Sequence, residues 1–437
     1  MTQSMFLTRL FVAYIFMYSV RNLITSASSF LFDEGALSKT TYAVMQTSSF
    51  LVIFLCKVSS GLLVRQLTSF NRVLTCFLSI QLSTLLSYIL LFVVGVSFTK
   101  FLASTFVFSY AIIKITASFL RVIVLEIVYQ GLQSSSKSLT SITTLLQLMS
   151  CVGDAGGKYA LGGLLQLDSL RQFANKKQIP LWCCPMLCVS AGTGIGIVLT
   201  ASLFCKNTES AKSIINEEKS SRPKKGLTLL TQLKSNLKFI LCCVCSLITS
   251  IISVTMGTYG SHFMRYRLQI PAARVPLYEG FSPLIVFVAI ATAGYLMNRI
   301  REHRHRALYL MVVPLLLTVA TMSVLCFALI DTSVMLYIYY VHQFFFYALQ
   351  TLLDGAFLMC IVQTEVAPAA TGIVSGIGYA GGMTVPFIIL PYSTRFHGWN
   401  QILPVVLGLE VLLLLPLVWL TALDKKRKIH DHVRSAN

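Results

Sequence analysis

Apolar residues in this chain fall in runs near twenty, separated by short polar stretches carrying most of its Lys and Arg. A helix needs about 20 apolar residues to cross a hydrocarbon layer of about 30 Å. The pattern predicts twelve spans, at 6–31, 41–64, 73–97, 102–129, 139–165, 181–205, 236–259, 275–298, 307–329, 333–361, 369–392 and 401–422. The fifth and seventh are interrupted by Gly or Ser, which membrane helices tolerate. The first run is too long for a cleavable signal and lacks a small-residue cleavage pattern, so it reads as a span.

One long polar segment breaks the rhythm, Lys206 to Lys238, with Lys212, Lys219, Arg222, Lys224 and Lys225 around Glu217 and Glu218. It divides the spans six and six. The expected organisation is a six-helix half at 1–205, a basic linker at 206–235, a second half at 236–422 and a basic tail at 423–437. Leu227–Leu237 reads as a short amphipathic helix lying on the membrane.

Composition agrees. Hydrophobic residues make up 55% of the 437 and charged residues only 12%, where soluble domains carry about 25% charge. Mean hydropathy is +0.74. The net charge of +19 would suggest nucleic acid in a soluble protein, but no basic patch interleaves with aromatics as single-strand binding requires. Cationic cytoplasmic loops explain it better, with acidic lipid headgroups as their partner. Placing both termini in the cytoplasm, and counting Arg9 and Lys238 at the cytoplasmic span ends with that side, puts 21 of the 35 cations there, 9 on the other side and 5 inside spans. The twelve cysteines sit mostly in apolar runs, including Cys183–Cys184–Cys188 and Cys242–Cys243–Cys245. With no His or carboxylate nearby they read as small hydrophobes, not as a metal site. No cofactor motif and no nucleophile–His–acid set point to an enzyme, and the chain is expected to act as a monomer.

An internal repeat relates the halves. Gly61-Leu-Leu-Val-Arg65 ends span 2, and Gly294-Tyr-Leu-Met-Asn298-Arg299 ends span 8; the glycines are 233 residues apart and each leads into a basic loop. These are the candidate gating positions. Parallel repeats of this kind place a solute site between the halves, near mid-membrane. Here the chain resembles the major facilitator superfamily, whose loop motif runs Gly-x-x-x-Asp/Asn-Arg/Lys. The second copy keeps Gly294, Asn298 and Arg299, while the first has Arg65 where the acid belongs. The resemblance implies an all-α fold of twelve transmembrane helices in two pseudo-symmetric halves.

Charges inside spans are costly, at least about 2.5–3.5 kcal/mol each at the centre, and so are functional candidates. Arg21 lies in span 1 and Lys57 in span 2, with no acid in either span. Tyr18 shares the face of Arg21 one turn away, and Tyr14 stands one turn further. A guanidinium fork and an ammonium suit a travelling anion. Pairing with Asp154, Glu279 or Asp354 from other spans is the alternative. Lys114, Arg121, Asp154, Lys158 and His342 form a second set, fit for coupling or for a structural charge network. His342 reads more readily as a satisfied buried histidine, and Trp182 and Trp399 as members of an interfacial belt.

More narrowly, the chain resembles the organophosphate:phosphate antiporters. Tyr18-Ser-Val-Arg21-Asn22, Cys56-Lys57-Val-Ser-Ser-Gly61 and Tyr278-Glu279 match parts of that family's spans 1, 2 and 8. Glu365-Val-Ala-Pro368, Gly378-Tyr379-x-Gly381-Gly382 and Phe396-His397-Gly398-Trp399 follow its later blocks. The resemblance implies exchange of a sugar phosphate or another phosphate ester for phosphate, with Arg21, Lys57, Tyr18, Tyr14 and Glu279 as solute contacts. The family's second Arg, in span 7, is missing: the offset of 233 carries Arg21 to Val254 and Lys57 to Ile290. A monocarboxylate, amino acid, nucleoside or sugar is therefore the alternative solute, and a non-transporting sensor or scaffold the alternative role.

Overall fold

The computed structural model describes residues 3–35, 37–63, 136–177, 236–300, 306–328, 330–361 and 367–436, with isolated positions at 110, 114, 181, 188, 189, 191, 194 and 195. The linker, Arg65, Arg121 and most of spans 3, 4 and 6 lie outside the described residues. Every described element is helical: α1 (Gln3–Arg21), α2 (Leu23–Asp33), α3 (Lys39–Leu63), α4 (Ser136–Leu165), α5 (Asp168–Lys177), α6 (Leu237–Ser253), α7 (Val275–Ile300), α8 (Arg306–Phe327), α9 (Thr332–Thr351), α10 (Ala367–Gly382), α11 (Val385–Ser393) and α12 (Trp399–Ala436). Five helical stretches are long and apolar enough to cross a membrane, or six if the bent pair α10–α11 forms one span. The molecule is an all-α, multi-pass membrane protein.

Several boundaries differ from the sequence reading, each for a local reason. The first expected span is two helices, α1 and α2, broken at Asn22 (φ −108°, ψ 8°). The seventh span ends at Thr258, close to the expected 259, but the chain stays helical beyond it. It continues past α6 through π-helical turns Val254–Thr258 and Phe263–Arg267, on either side of a one-turn helix Gly260–His262. Such wide turns recur at functional sites. The start of α6 is set by Asn236, whose side chain accepts from the backbone N–H of Lys238 and Phe239. The α10–α11 break bends by 45°, after Gly381-Gly382 and before Pro386. Helix α5, after the fifth span, had no counterpart in the hydropathy pattern.

Packing uses small residues, because lipid supplies little hydrophobic force between helices. Gly153 and Gly157, four apart on α4, lie so close to α1 that a Cβ would strike the carbonyls of Ile15 and Ser19. Helices α4 and α7 pack along their length, as do α3 and α10; both pairings join chain before the polar segment to chain after it. Outward faces are apolar, as Val313 and Leu316 on α8 and Leu415 and Val418 on α12 show by their exposure. Trp399 is not in an interfacial belt. It is fully buried against Phe263, its indole N–H donating to the Ser393 carbonyl; beginning α12 beside the bent α10–α11 pair turns it inward.

Candidate functional site

A cavity of about 320 Å³ lies between these helices, a size suited to a small molecule. Its wall includes Tyr18, Arg21 and Asn22 from α1 and its break, Lys57 from α3, Lys114, and Asp154 and Lys158 from α4. Facing them are Val254 and Gly257 from the first π turn, Glu279 and Pro283 from α7, Asp354, and Tyr379 from α10. Pro283 has no N–H to give the Glu279 carbonyl, so α7 lacks one backbone hydrogen bond at this depth.

Arg21 caps the end of α1 and points at α10. Its Nη2 donates to the Tyr379 hydroxyl at 2.9 Å, and its guanidinium carbon stands 4.8 Å from the Tyr18 ring centroid. Its Nε is buried without a hydrogen-bond partner among the described residues. Lys57 Nζ stands 4.7 Å from the ring centroid of the same Tyr379. One tyrosine therefore receives two cations, Arg21 at its hydroxyl and Lys57 at its π face. Phe50 supports that ring from 6.0 Å.

A second set forms a chain. Lys114 Nζ donates to Asn22 Oδ1 (2.8 Å), and Asn22 Nδ2 donates to Asp154 Oδ1 (2.9 Å). Asp154 Oδ2 meets Lys158 Nζ at 3.3 Å, and Lys158 reaches Glu279 Oε1 at 3.5 Å. The Asp154–Lys158 link is one helical turn; the Lys158–Glu279 link crosses from α4 to α7. Asn22 can serve both neighbours because the helix break frees its side chain from the α1 face. In a low-dielectric interior these charges interact strongly and cannot be left uncompensated.

The remaining candidates fall as follows. Tyr14 is buried behind Tyr18, donating to its hydroxyl at 3.0 Å, and does not line the cavity. His342 is also outside the lining. It pairs with Glu410 of α12 at 2.7 Å, both fully buried. Gly61 lies in α3 and Asn298 and Arg299 in the last turn of α7, so the latter two stand on helix rather than in a loop. Gly294 is a contact between α7 and α4, where a Cβ would meet Thr144 at 3.0 Å. Cys242 packs as a small hydrophobe, its Sγ 3.9 Å from the Leu353 carbonyl.

Sequence reasoning left Tyr379, Asn22 and Glu410 without roles, and it passed over a set of bonds that tie α2 to residues 261–266. There Ser28 of α2 meets Ser261 Oγ at 3.2 Å and His262 Nε2 at 3.1 Å, and Asp33 accepts from Arg265 Nε at 2.8 Å and from the Tyr266 hydroxyl at 3.3 Å. The signal was present: 233 residues separate Ser28 from Ser261 and Asp33 from Tyr266, the same interval as Gly61 to Gly294. Positions related by a two-fold can touch only near its axis.

No protein-family model matches the sequence, and no curated protein matches it. Solved structures do match in shape. A bacterial homologue of the human lysosomal transporter Spinster, inward-facing and unoccupied, superposes with a TM-score of 0.70 at 10% identity, over 97% of this chain and 98% of that one. A bacterial homologue of the iron transporter ferroportin, outward-facing, gives 0.63 at 13% identity, over 95% and 99%. The E. coli fucose:proton symporter gives 0.63 at 13% identity, over 92% and 96%. At such identities the likeness establishes a shared fold alone, and it lends nothing specific to the organophosphate subfamily.

Proposed function

We propose that the chain is a secondary carrier that moves a small solute across a membrane by alternating access. The observation that carries this reading is a solute-sized cavity walled by helices from both sides of the polar segment, with α2 bonded across to residues 261–265 at one end through Ser28, Asp33, Ser261 and Arg265. Separating those bonds while closing the other end would expose the cavity alternately, and a solute that favours one state shifts the balance. The cation count supports both termini in the cytoplasm, which makes the bonded end the outer one, and it supports acidic headgroups as the loops' lipid partners. The two-fold interval supports twelve spans in two halves.

For the solute, the neighbours' names span iron and fucose, so the fold does not choose. The cavity favours an anion. Four cations line it against three carboxylates, Asp154, Glu279 and Asp354, among the described residues; among those residues Arg21 contacts Tyr379 and Tyr18, and its Nε has no hydrogen-bond partner. A carboxylate or phosphate oxygen is the natural complement of that nitrogen. A phosphate ester exchanged for phosphate is the narrower form, and the apolar Val254 opposite Arg21 favours one anionic group over a two-sided clamp. Counterflow in proteoliposomes, with phosphorylated, carboxylated and uncharged metabolites, tests it. Anions exchanging in preference to neutral solutes support the reading; exchange of neutral solutes alone overturns the anion, and no exchange of any solute overturns the carrier.

A further inference from the structure

At the bonded end one titratable group is enclosed in an aromatic box. His262 is fully buried on the one-turn helix Gly260–His262, beyond the apolar stretch Leu237–Thr258. Its ring centroid lies 5.1 Å from Phe32, 6.0 Å from Tyr42, 5.6 Å from Tyr259 and 6.0 Å from Tyr266, the last stacked at 12°. Nε2 meets Ser28 Oγ at 3.1 Å, and Nδ1 has no partner among the described residues. Phe32 and Ser28 belong to α2 and Tyr42 to α3, so the ring stands in the seam that must part for this end to open.

The charged groups around it offer an imidazolium no support. On α2, Asp33 is engaged by Arg265 and Tyr266. At the head of α3, Lys39 repels a proton on the ring. On α7, Glu279 is held by Lys158. On its own segment the charges nearest in sequence are Arg265 and Arg267. An imidazolium has two N–H donors to satisfy, and among the described residues one serine oxygen is at hand. The closed seam therefore holds the ring neutral. Burial, with the Lys39 charge adding to it, pushes the His262 pKa down to about 3.

We propose that His262 is a proton-binding site that opens this end: when α2 parts from residues 259–267 the ring meets water and takes up a proton, so acid on that face favours the open state. The proposal rests on the alternating-access reading and goes beyond it. The sign follows from linkage. The closed ring stays unprotonated down to about pH 3, whereas a wetted imidazole titrates near about 6.5. The open state then binds more protons at any pH between these values, and it gains as pH falls through about 6.5. Between about pH 7.5 and about pH 5.5 the opening equilibrium rises about tenfold.

The test uses the full chain in lipid nanodiscs, with spin labels on unnatural residues at the exposed positions Thr40 and Gln269, one on each side of the seam. Pulsed electron-resonance distances then report opening with no solute present. The wild-type protein should show the ratio of separated to closed distance populations rising about tenfold across that pH interval. His262→Gln, which keeps a polar side chain but cannot titrate, should show no such rise. Ser28→Ala removes the ring's hydrogen bond and leaves its titration, so opening should increase at both pH values with the acid response retained; this variant carries the test if His262→Gln does not fold. A wild-type seam indifferent to pH, a His262→Gln protein that responds like wild type, or a Ser28→Ala protein that has lost the response would each overturn the proposal. Flux is not read, so a seam that opens in acid in a protein that carries no solute overturns the carrier reading and leaves this one standing.

Discussion

His342 and Glu410 meet at 2.7 Å between α9 and α12, both fully buried and both outside the cavity lining. Arg21, Lys57, Lys114, Asp154, Lys158 and Glu279 are also withdrawn from bulk water, yet they line the cavity and come from segments on both sides of the polar linker. The first group closes on itself, one partner each, within two neighbouring helices. The second is spread across α1, α3, α4 and α7, and one of its members, Arg21, is met by rings and a hydroxyl. A pair kept for architecture bonds to itself where it stands. On the proposed reading, a charge that receives a solute is held by soft, displaceable contacts such as cation–π faces, which a stronger anion can replace.

The comparison can be broken by mutation. The largest expected effect is on stability. His342→Leu strands Glu410 in an apolar site and should cost about 3–5 kcal/mol, read as a fall in thermal midpoint in detergent. The double change His342→Leu with Glu410→Leu should recover most of that loss. Uptake per folded molecule should hold in both; its loss would show that this pair belongs to transport.

Arg21→Gln should do the reverse. Losing a charge-assisted hydrogen bond to a solute costs about 1.5–3 kcal/mol, so uptake should fall roughly ten- to hundredfold with little change in thermal midpoint. A destabilised Arg21→Gln protein with normal uptake per folded molecule would place Arg21 with the architectural charges. Next in size is the Lys158–Glu279 bridge. Lys158→Met leaves Asp154 and Glu279 facing one another, and adding Glu279→Gln should restore part of the loss; a double-mutant cycle should give a coupling of about 1–2 kcal/mol. Additivity would mean that the bridge between α4 and α7 is not energetically made. The smallest effect belongs to Tyr379→Phe. It removes the oxygen that accepts from Arg21 and keeps the ring facing Lys57, so half-saturation should shift about three- to tenfold, from about 0.5–1.5 kcal/mol.

Much of the architecture was legible before any coordinates. Hydropathy runs announce membrane helices because a bilayer enforces length and apolarity at once. The interval of 233 residues, read from Gly61 and Gly294, recurs where Ser28 touches Ser261 and Asp33 touches Tyr266, because a repeat is written along the chain. Local pairs were legible too: Asp154 and Lys158 are one turn apart and bond. The π turns after α6 were not, since a wider turn needs no change in residue type. They carried Ser261, His262 and Arg265 past the expected span limit at 259 and into the seam.

What the sequence alone determined is therefore the class of molecule and the positions of charge that a bilayer resists, together with an interval of 233 residues that two contacts repeat. These depend on composition and spacing, which are properties of a line. Which cation meets which partner was decided only by tertiary structure. Arg21 finds Tyr379, 358 residues away, and His342 finds Glu410, 68 residues away, through helix rotation and close approach at glycine contacts. Hydropathy is blind to rotation about a helix axis, and that rotation sends Arg21 into the cavity and His342 away from it.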